Sequence, residues 1–191
     1  TGVRCIRTRR NGIWVIVKII TNQAGLYGIG SASDCRHPEA VITAIEQVIA
    51  PRLIGLDPGR IEDIWQSTYT SAYWRNGAIL NTCLGAIDAA LWDIKGKEAG
   101  MPVYALLGGP CRAAVPCYAH AGGRDIPELK EDVQRYAAEG YRHIRCQLGA
   151  YGGGGFLAPS AASRPRNAWP QSAVFDDEVY IASIVTMFDR L

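Results

Sequence analysis

Residues 81–109, NTCLGAIDAALWDIKGKEAGMPVYALLGG, constrain this chain more than any other stretch. Leu84, Ile87, Leu91 and Ile94, with Cys83, Ala86 and Ala90 beside them, recur at the spacing of a single helix face. A helix this apolar along one side needs other elements to cover it, so the stretch predicts a core helix with layers around it. Asn81 or Thr82 offers a side-chain oxygen to cap its start. Asp93 and Lys97 stand four apart and are expected to pair on the wet side, a contribution of about 0.3 kcal/mol. Gly100 suits the left-handed position past the helix end, and Pro102 cannot continue the helix. Gly108-Gly109-Pro110 then reads as a boundary.

Before that helix the pattern is first β, then α. Residues 3–8 and 13–20 are strand candidates around Asn11-Gly12, a strong hairpin signal. Residues 26–32 make a third strand, loosened by Gly28 and Gly30. No third glycine follows Gly28-Ile29-Gly30 at dinucleotide-binding spacing. Pro38 opens a helix whose stripe is Val41, Ile42, Ile45, Val48 and Ile49, with Pro51 ending it. Asp57-Pro58 is expected to cap another helix, with Ile61, Ile64, Trp65 and Tyr69 on one side. Residues 73–77 form an aromatic and basic connection, while Trp14 and Trp65 are assigned to the core.

After Gly109 the rhythm becomes strand, helix, strand, helix, which signals a parallel sheet. The strands are expected at 114–119 and 141–148. Asp125 and Pro127 start the helix between them, with Leu129, Val133, Tyr136 and Ala137 inward. Asp176, Asp177 and Glu178 open the last helix, whose stripe reads Ile181, Ile184, Val185, Phe188 and Leu191. Residues 149–175 lack periodicity and carry Gly152–Gly155 and three prolines, which reads as an active-site loop or an insertion.

Composition narrows the function classes. A net charge of +2 implies neither a nucleic-acid nor a membrane partner. No apolar run approaches the roughly 20 residues that span a bilayer, and no signal-peptide pattern is visible near the start. The six cysteines are scattered without paired spacing, which fits reduced thiols in the cytoplasm. No Cys/His cluster has zinc-site spacing, and Asp88 and Asp93 read as helix or hinge carboxylates.

Candidate chemistry gathers late in the chain. In a strand, Arg145 and Gln147 share one face and Cys146 takes the other. Arg145 brings a fixed cation and a fork of donors suited to a carboxylate or an enolate oxygen. His120 near a strand end can bind a hydroxyl or a carboxylate. Tyr151 lies on the loop that follows, where a neighbouring cation is needed for a group titrating near ~10 to act as a base.

The motifs Ala86-Ile87-Asp88, Ala90-Leu91-Trp92-Asp93, Gly100-Met101-Pro102 and Leu106-Leu107-Gly108-Gly109 resemble the hinge between capping domain and barrel in the mandelate racemase/muconate lactonizing group of the enolase superfamily. Ile61-Glu62-Asp63-Ile64-Trp65 and Ala72-Tyr73-Trp74-Arg75 resemble its mannonate dehydratase branch, which includes RspA-like proteins. The resemblance implies an α+β capping domain at 1–112, a three-stranded antiparallel meander plus helices. The first βα units of a TIM-type barrel would follow at 113–191. Such a barrel takes about 250 residues, so the chain reads as its N-terminal part, and 113–191 are not expected to be stable alone.

The resemblance further implies a Mg²⁺-assisted acid-sugar dehydratase, with the metal ligands beyond Leu191. Arg145 would work with Tyr151 to take the proton beside the carboxylate, and His120 and Gln147 would bind substrate. Asp34 and Cys35 would close over the substrate from the capping loop. Trp74 and Arg75 would line the same entrance or an interface. Arg-x-Gln departs from the Lys-x-Lys of racemases and cycloisomerases, which remain an alternative, as does a non-catalytic acid-sugar sensor. Relatives assemble, so a homo-oligomer is expected.

Overall fold

The computed structural model describes residues 2–8, 13–33, 37–148 and 177–191. The chain divides into two compact units, Thr1–Cys111 and Arg112–Leu191. The first carries an antiparallel meander of β1 (Gly2–Thr8), β2 (Trp14–Ile20) and β3 (Tyr27–Ser31). Cys5 lies opposite Val17 and Val17 opposite Gly30, so Val15, Val17 and Ile19 alternate into one buried face. The Asn11-Gly12 turn lies outside the described residues.

That face is covered by α4 (Ala78–Glu98), whose Cys83, Leu84, Ala86, Ile87, Ala90, Leu91 and Ile94 are all buried. The glycines of β3 do not loosen the strand. A Cβ on Gly28 would stand 1.8 Å from the carbonyl oxygen of Ala90, and one on Gly30 would stand 1.9 Å from that of Ala86. Only bare backbone lets the helix lie this close. Asp93 and Lys97 pair at 2.7 Å and also hold β3: Ile29 N–H donates to Asp93 at 2.9 Å, and Lys97 donates to the Tyr27 carbonyl at 2.7 Å. The pair is therefore a clasp between layers rather than a wet-side decoration.

Helix α4 starts three residues before Asn81, with Gly77 at the cap position and no side-chain cap. The Asn81 N–H is already satisfied by the Gly77 carbonyl. At the other end Gly100 takes φ +64°, the left-handed stop that the sequence implies. A short helix, α5 (Val103–Leu106), follows.

Pro51 does not end its helix. From α1 (Pro38–Thr43) the chain passes through a π-helical segment, Ala44–Ile49, into α2 (Ala50–Leu53). Pro51 has no N–H to donate and sits in the first turn of α2, where none is needed. The widened turn leaves Val48 exposed while Val41, Ile45 and Ile49 stay in the core. Asp57 is no cap for α3 (Ile61–Tyr69); its carboxylate accepts from the Gly59 N–H at 2.9 Å and closes a turn before it. Trp14 is 51% exposed rather than core, because it opens β2 on the face away from α4.

The second unit pairs β4 (Ala119–Gly122) in parallel with β5 (Ile144–Gln147), joined through α6 (Ile126–Ala138). Both strands start later than the sequence pattern implies. Residues 114–118 are exposed, and Pro116 there has no ladder donor; pairing begins where Ala119 N–H donates to the His143 carbonyl. Asp125 caps α6 by accepting from the Glu128 N–H at 3.0 Å. Leu129 is buried and Val133 and Tyr136 pack beside it, but Ala137 is exposed.

Helix α7 (Asp177–Arg190) departs most from its sequence pattern. Ser183 and Met187 are buried, while Ile181, Ile184, Val185 and Phe188 are exposed. The core that α7 meets is Ala121, Leu129 and Leu148, and the flexible Met187 fills it. Asp176 lies outside the described residues.

Candidate functional site

The two strands of the second unit have unlike faces. One is closed by α6 and Met187, with Ala121, Cys146 and Leu148 turned into it. The other carries His120, Arg145 and Gln147. The parallel register sets His120 beside Arg145 and Gly122 beside Gln147. Strand periodicity therefore does here what the sequence implies: Arg145 and Gln147 share a face that Cys146 does not.

Arg145 Nη1 lies 3.4 Å from His120 Nε2. A guanidinium can only donate, so this contact is a hydrogen bond when Nε2 is the unprotonated nitrogen. The Tyr118 ring stands 5.1 Å from the His120 ring and bounds its other side. Both His120 and Arg145 are exposed, and Gln147 is partly so. The arrangement offers a fork of donors, an imidazole and an amide along one strip, suited to an anionic, hydroxylated ligand.

The strip has a brace that sequence reading missed. Gly122 N–H, two residues past His120, donates to Asp132 of α6 at 3.1 Å. Arg135 holds that carboxylate through two of its nitrogens, and Glu139 receives the same guanidinium at 2.8 Å. The Arg135 guanidinium first, then the Gly122 N–H, hold Asp132 below the usual carboxylate range. Nothing in a charged helical surface pattern marks Asp132 as the residue that meets a strand end; only the fold does. Burial pushes the Cys146 thiol up, which suits its place in the closed face.

Tyr151, Asp34 and Cys35 lie outside the described residues. Trp74 and Arg75 belong to the first unit, on an exposed connection between α3 and α4. Among the described residues no three His, Cys, Asp or Glu side chains come together to hold a metal ion. Among the described residues, too, no helix is long and apolar enough to cross a membrane.

Comparison with known proteins decides the family. The description "Mandelate racemase / muconate lactonizing enzyme, N-terminal domain" matches residues 3–108. This chain belongs to the mandelate racemase/muconate lactonizing enzyme family. A D-galactonate dehydratase family member of Paenibacillus sp. strain JDR-2 is 62% identical over 191 residues, covering all of this chain and 47% of that protein. The D-galactonate dehydratase family member RspA of Pantoea ananatis is 47% identical over 204 residues, covering all of this chain and 49% of that protein. A crystal structure of an enolase from Pantoea ananatis, with bound D-gluconate and Mg, matches with a TM-score of 0.83 and 45% identity. It is covered to 49% of its length and this chain to 100%.

The chain thus spans about half the length of the curated relatives it matches. In the mandelate racemase/muconate lactonizing family the meander and its helices are the capping domain, and β4–α6–β5 begins the βα barrel. The strip of His120, Arg145 and Gln147 then lies on the face of these strands left uncovered by the helices.

Proposed function

We propose that this chain supplies the N-terminal half of an acid-sugar dehydratase. The observation that carries the reading is the side-by-side placement of His120 and Arg145 on the strand face away from α6. The reaction removes the proton from the carbon next to a carboxylate, and the electron pair moves onto that carboxylate as an enediolate. Its collapse expels the β-hydroxyl, which leaves as water with a proton from an acid. The enol that remains tautomerises to a 2-keto-3-deoxy acid.

Arg145 serves this sequence as a donor to the carboxylate oxygens, where charge grows in the transition state. His120 and Gln147 hold substrate hydroxyls. Tyr151 is assigned the base, and Asp34 and Cys35 a place over the substrate, from the sequence resemblance. Within the class we assign D-mannonate as substrate, because Arg-x-Gln on β5 matches that branch. Relatives are named for D-galactonate, and one holds D-gluconate and Mg. Mg²⁺ in the complete protein follows from that neighbour. Among the described residues no group of His, Cys, Asp or Glu side chains comes together to hold it. The scattered thiols support a reducing, cytoplasmic setting.

The test is turnover of a panel including D-mannonate, D-gluconate and D-galactonate by the full-length protein with Mg²⁺, read as 2-keto-3-deoxy acid formed. Arg145→Ala is expected to lower kcat by about 10²-fold or more, and His120→Ala to act chiefly on KM. Turnover of none of these acids, with binding retained, would favour a sensor. Racemised or cyclised product would favour the other branches of the family.

A further inference from the structure

The carboxylates of α6 do not all serve their own helix. Asp125 caps its start and Glu128 pairs with Arg124, whose backbone N–H Glu128 also receives at 2.9 Å. Asp132 stands in the middle of α6, where aspartate is among the poorer helix formers. Its carboxylate reaches out of the helix and accepts from the Gly122 N–H of β4 at 3.1 Å. That carboxylate is aimed from behind. Arg135 Nε donates to it at 3.1 Å, and the same guanidinium lies on the Tyr136 ring at 3.9 Å and donates to Glu139 at 2.8 Å. Tyr136 in turn meets Tyr141 edge to face at 5.5 Å. A lone surface pair would leave the carboxylate to turn into solvent; these contacts fix its direction.

Gly122 is a position that needs such a hold. N–H groups along a strand alternate between its two edges. Ala119 N–H donates to the His143 carbonyl at the start of β5, so that of Gly122, three residues on, faces the other edge and lies outside the β4–β5 ladder. No side chain fixes the position either. Among the described residues, a Cβ on Gly122 would come within 4 Å only of the Gln147 carbonyl oxygen, at 3.9 Å. Glycine also has more backbone freedom to lose than any other residue. Two residues earlier on the same strand face, His120 holds its ring against Arg145. The 3.4 Å between their nitrogens is already long for a hydrogen bond, so a small shift of the β4 end breaks the contact.

We propose that Asp132 is a positioning residue for the dehydration: by fixing the Gly122 backbone it holds His120 beside Arg145, where one substrate meets both. The inference rests on the acid-sugar reading above. Asp132 touches neither the substrate nor the reacting atoms and acts through His120. A misplacement of about 1 Å from a change away from the chemistry can cost about 100-fold in rate.

Steady-state kinetics of the full-length protein with Mg²⁺, on whichever acid of the panel it turns over, test this, together with hydrogen exchange over residues 120–123. Asp132→Ala should lower kcat/KM about tenfold or more, chiefly through KM, with helix content unchanged. Asp132→Asn keeps an oxygen for the Gly122 N–H and should stay within about threefold of the parent. In a His120→Ala background, Asp132→Ala should cost under about twofold, because the residue it acts through is gone. Exchange over 120–123 should quicken about tenfold in Asp132→Ala and far less in Asp132→Asn. Parental kcat/KM in Asp132→Ala overturns the inference and leaves the acid-sugar reading intact. So does an equal loss with and without His120, which marks a general structural role, or an Asp132→Asn variant as impaired as Asp132→Ala. A parent that turns over no acid sugar removes the reading itself and this role with it, even where exchange responds.

Discussion

Helices α4 and α7 present the same signal in sequence and opposite outcomes in the structure. Each has apolar residues at three-and-four spacing. In α4 the stripe of Leu84, Ile87, Leu91 and Ile94 is buried throughout. In α7 Ile181, Ile184, Val185 and Phe188 of the expected stripe are exposed, and the helix faces its unit through Ser183 and Met187 instead, with Leu191 just past its end packing there as expected. The difference lies in the cover. The α4 stripe meets a sheet whose inner residues alternate to match it, with glycines where the backbones touch. Helix α7 meets two short strands and one helix, and the described residues supply no second layer for its apolar side. Periodicity says that a face is to be covered and does not say by what. Covering each such side chain is worth roughly 1.5–3 kcal/mol, so the face on α7 is a strong attractor for any apolar surface that reaches it.

Four experiments bear on this contrast. The largest effect is expected at the tightest contact: Gly30→Val should cost about 3 kcal/mol or more, or prevent folding, because its Cβ collides with the Ala86 carbonyl. Chemical denaturation measures it, and a mild effect would show that α4 can lift off β3. The direct comparison is Ile87→Ala against Phe188→Ala. The first should cost about 2–5 kcal/mol and the second under about 0.5 kcal/mol in this chain. Equal losses would mean that α7 is covered after all. A smaller effect is expected at the clasp, where Asp93→Ala takes the carboxylate from the Ile29 N–H and leaves Lys97 with the Tyr27 carbonyl and ring, and should cost about 0.5–1.5 kcal/mol.

The last prediction concerns pH. Arg124 holds Glu128 in α6, through its side chain first and its backbone N–H second, at about 2 against an ordinary 4.5. A carboxylate depressed on folding lends stability that is present above its ordinary value and fades as the proton binds. The second unit should therefore weaken as pH falls from about 4.5 towards about 2. Following helix circular dichroism, Arg124→Gln should remove much of that step. An unchanged step would place it on other carboxylates.

Much of the fold was legible from the sequence, and for identifiable reasons. The meander, the long helix and the alternation after Gly109 all rest on local periods and turn residues, which hold whatever surrounds them. The errors fall where neighbours decide. Asn81 looked like a cap until the Gly77 carbonyl took its N–H. Pro51 looked like a stop until a π-helical turn brought it into a first turn. Residues 114–118 looked like a strand, but the ladder waits for His143. Of the site, the shared face of Arg145 and Gln147 was readable because strand alternation is local. Their meeting with His120 needed the parallel register, and the Asp132 brace needed a helix laid against a strand end.

Sequence alone determined the order and kind of the helices and strands though not all their ends, which faces are apolar, and that Arg145 and Gln147 point the same way. These follow from dihedral preferences and side-chain period, which each residue carries with it. Tertiary structure alone decided which apolar face is covered, why β3 needs bare backbone at Gly28 and Gly30, and that His120 stands 3.4 Å from Arg145. Those depend on contacts between residues far apart in the chain, and close packing sets them to fractions of an ångström that no local pattern encodes.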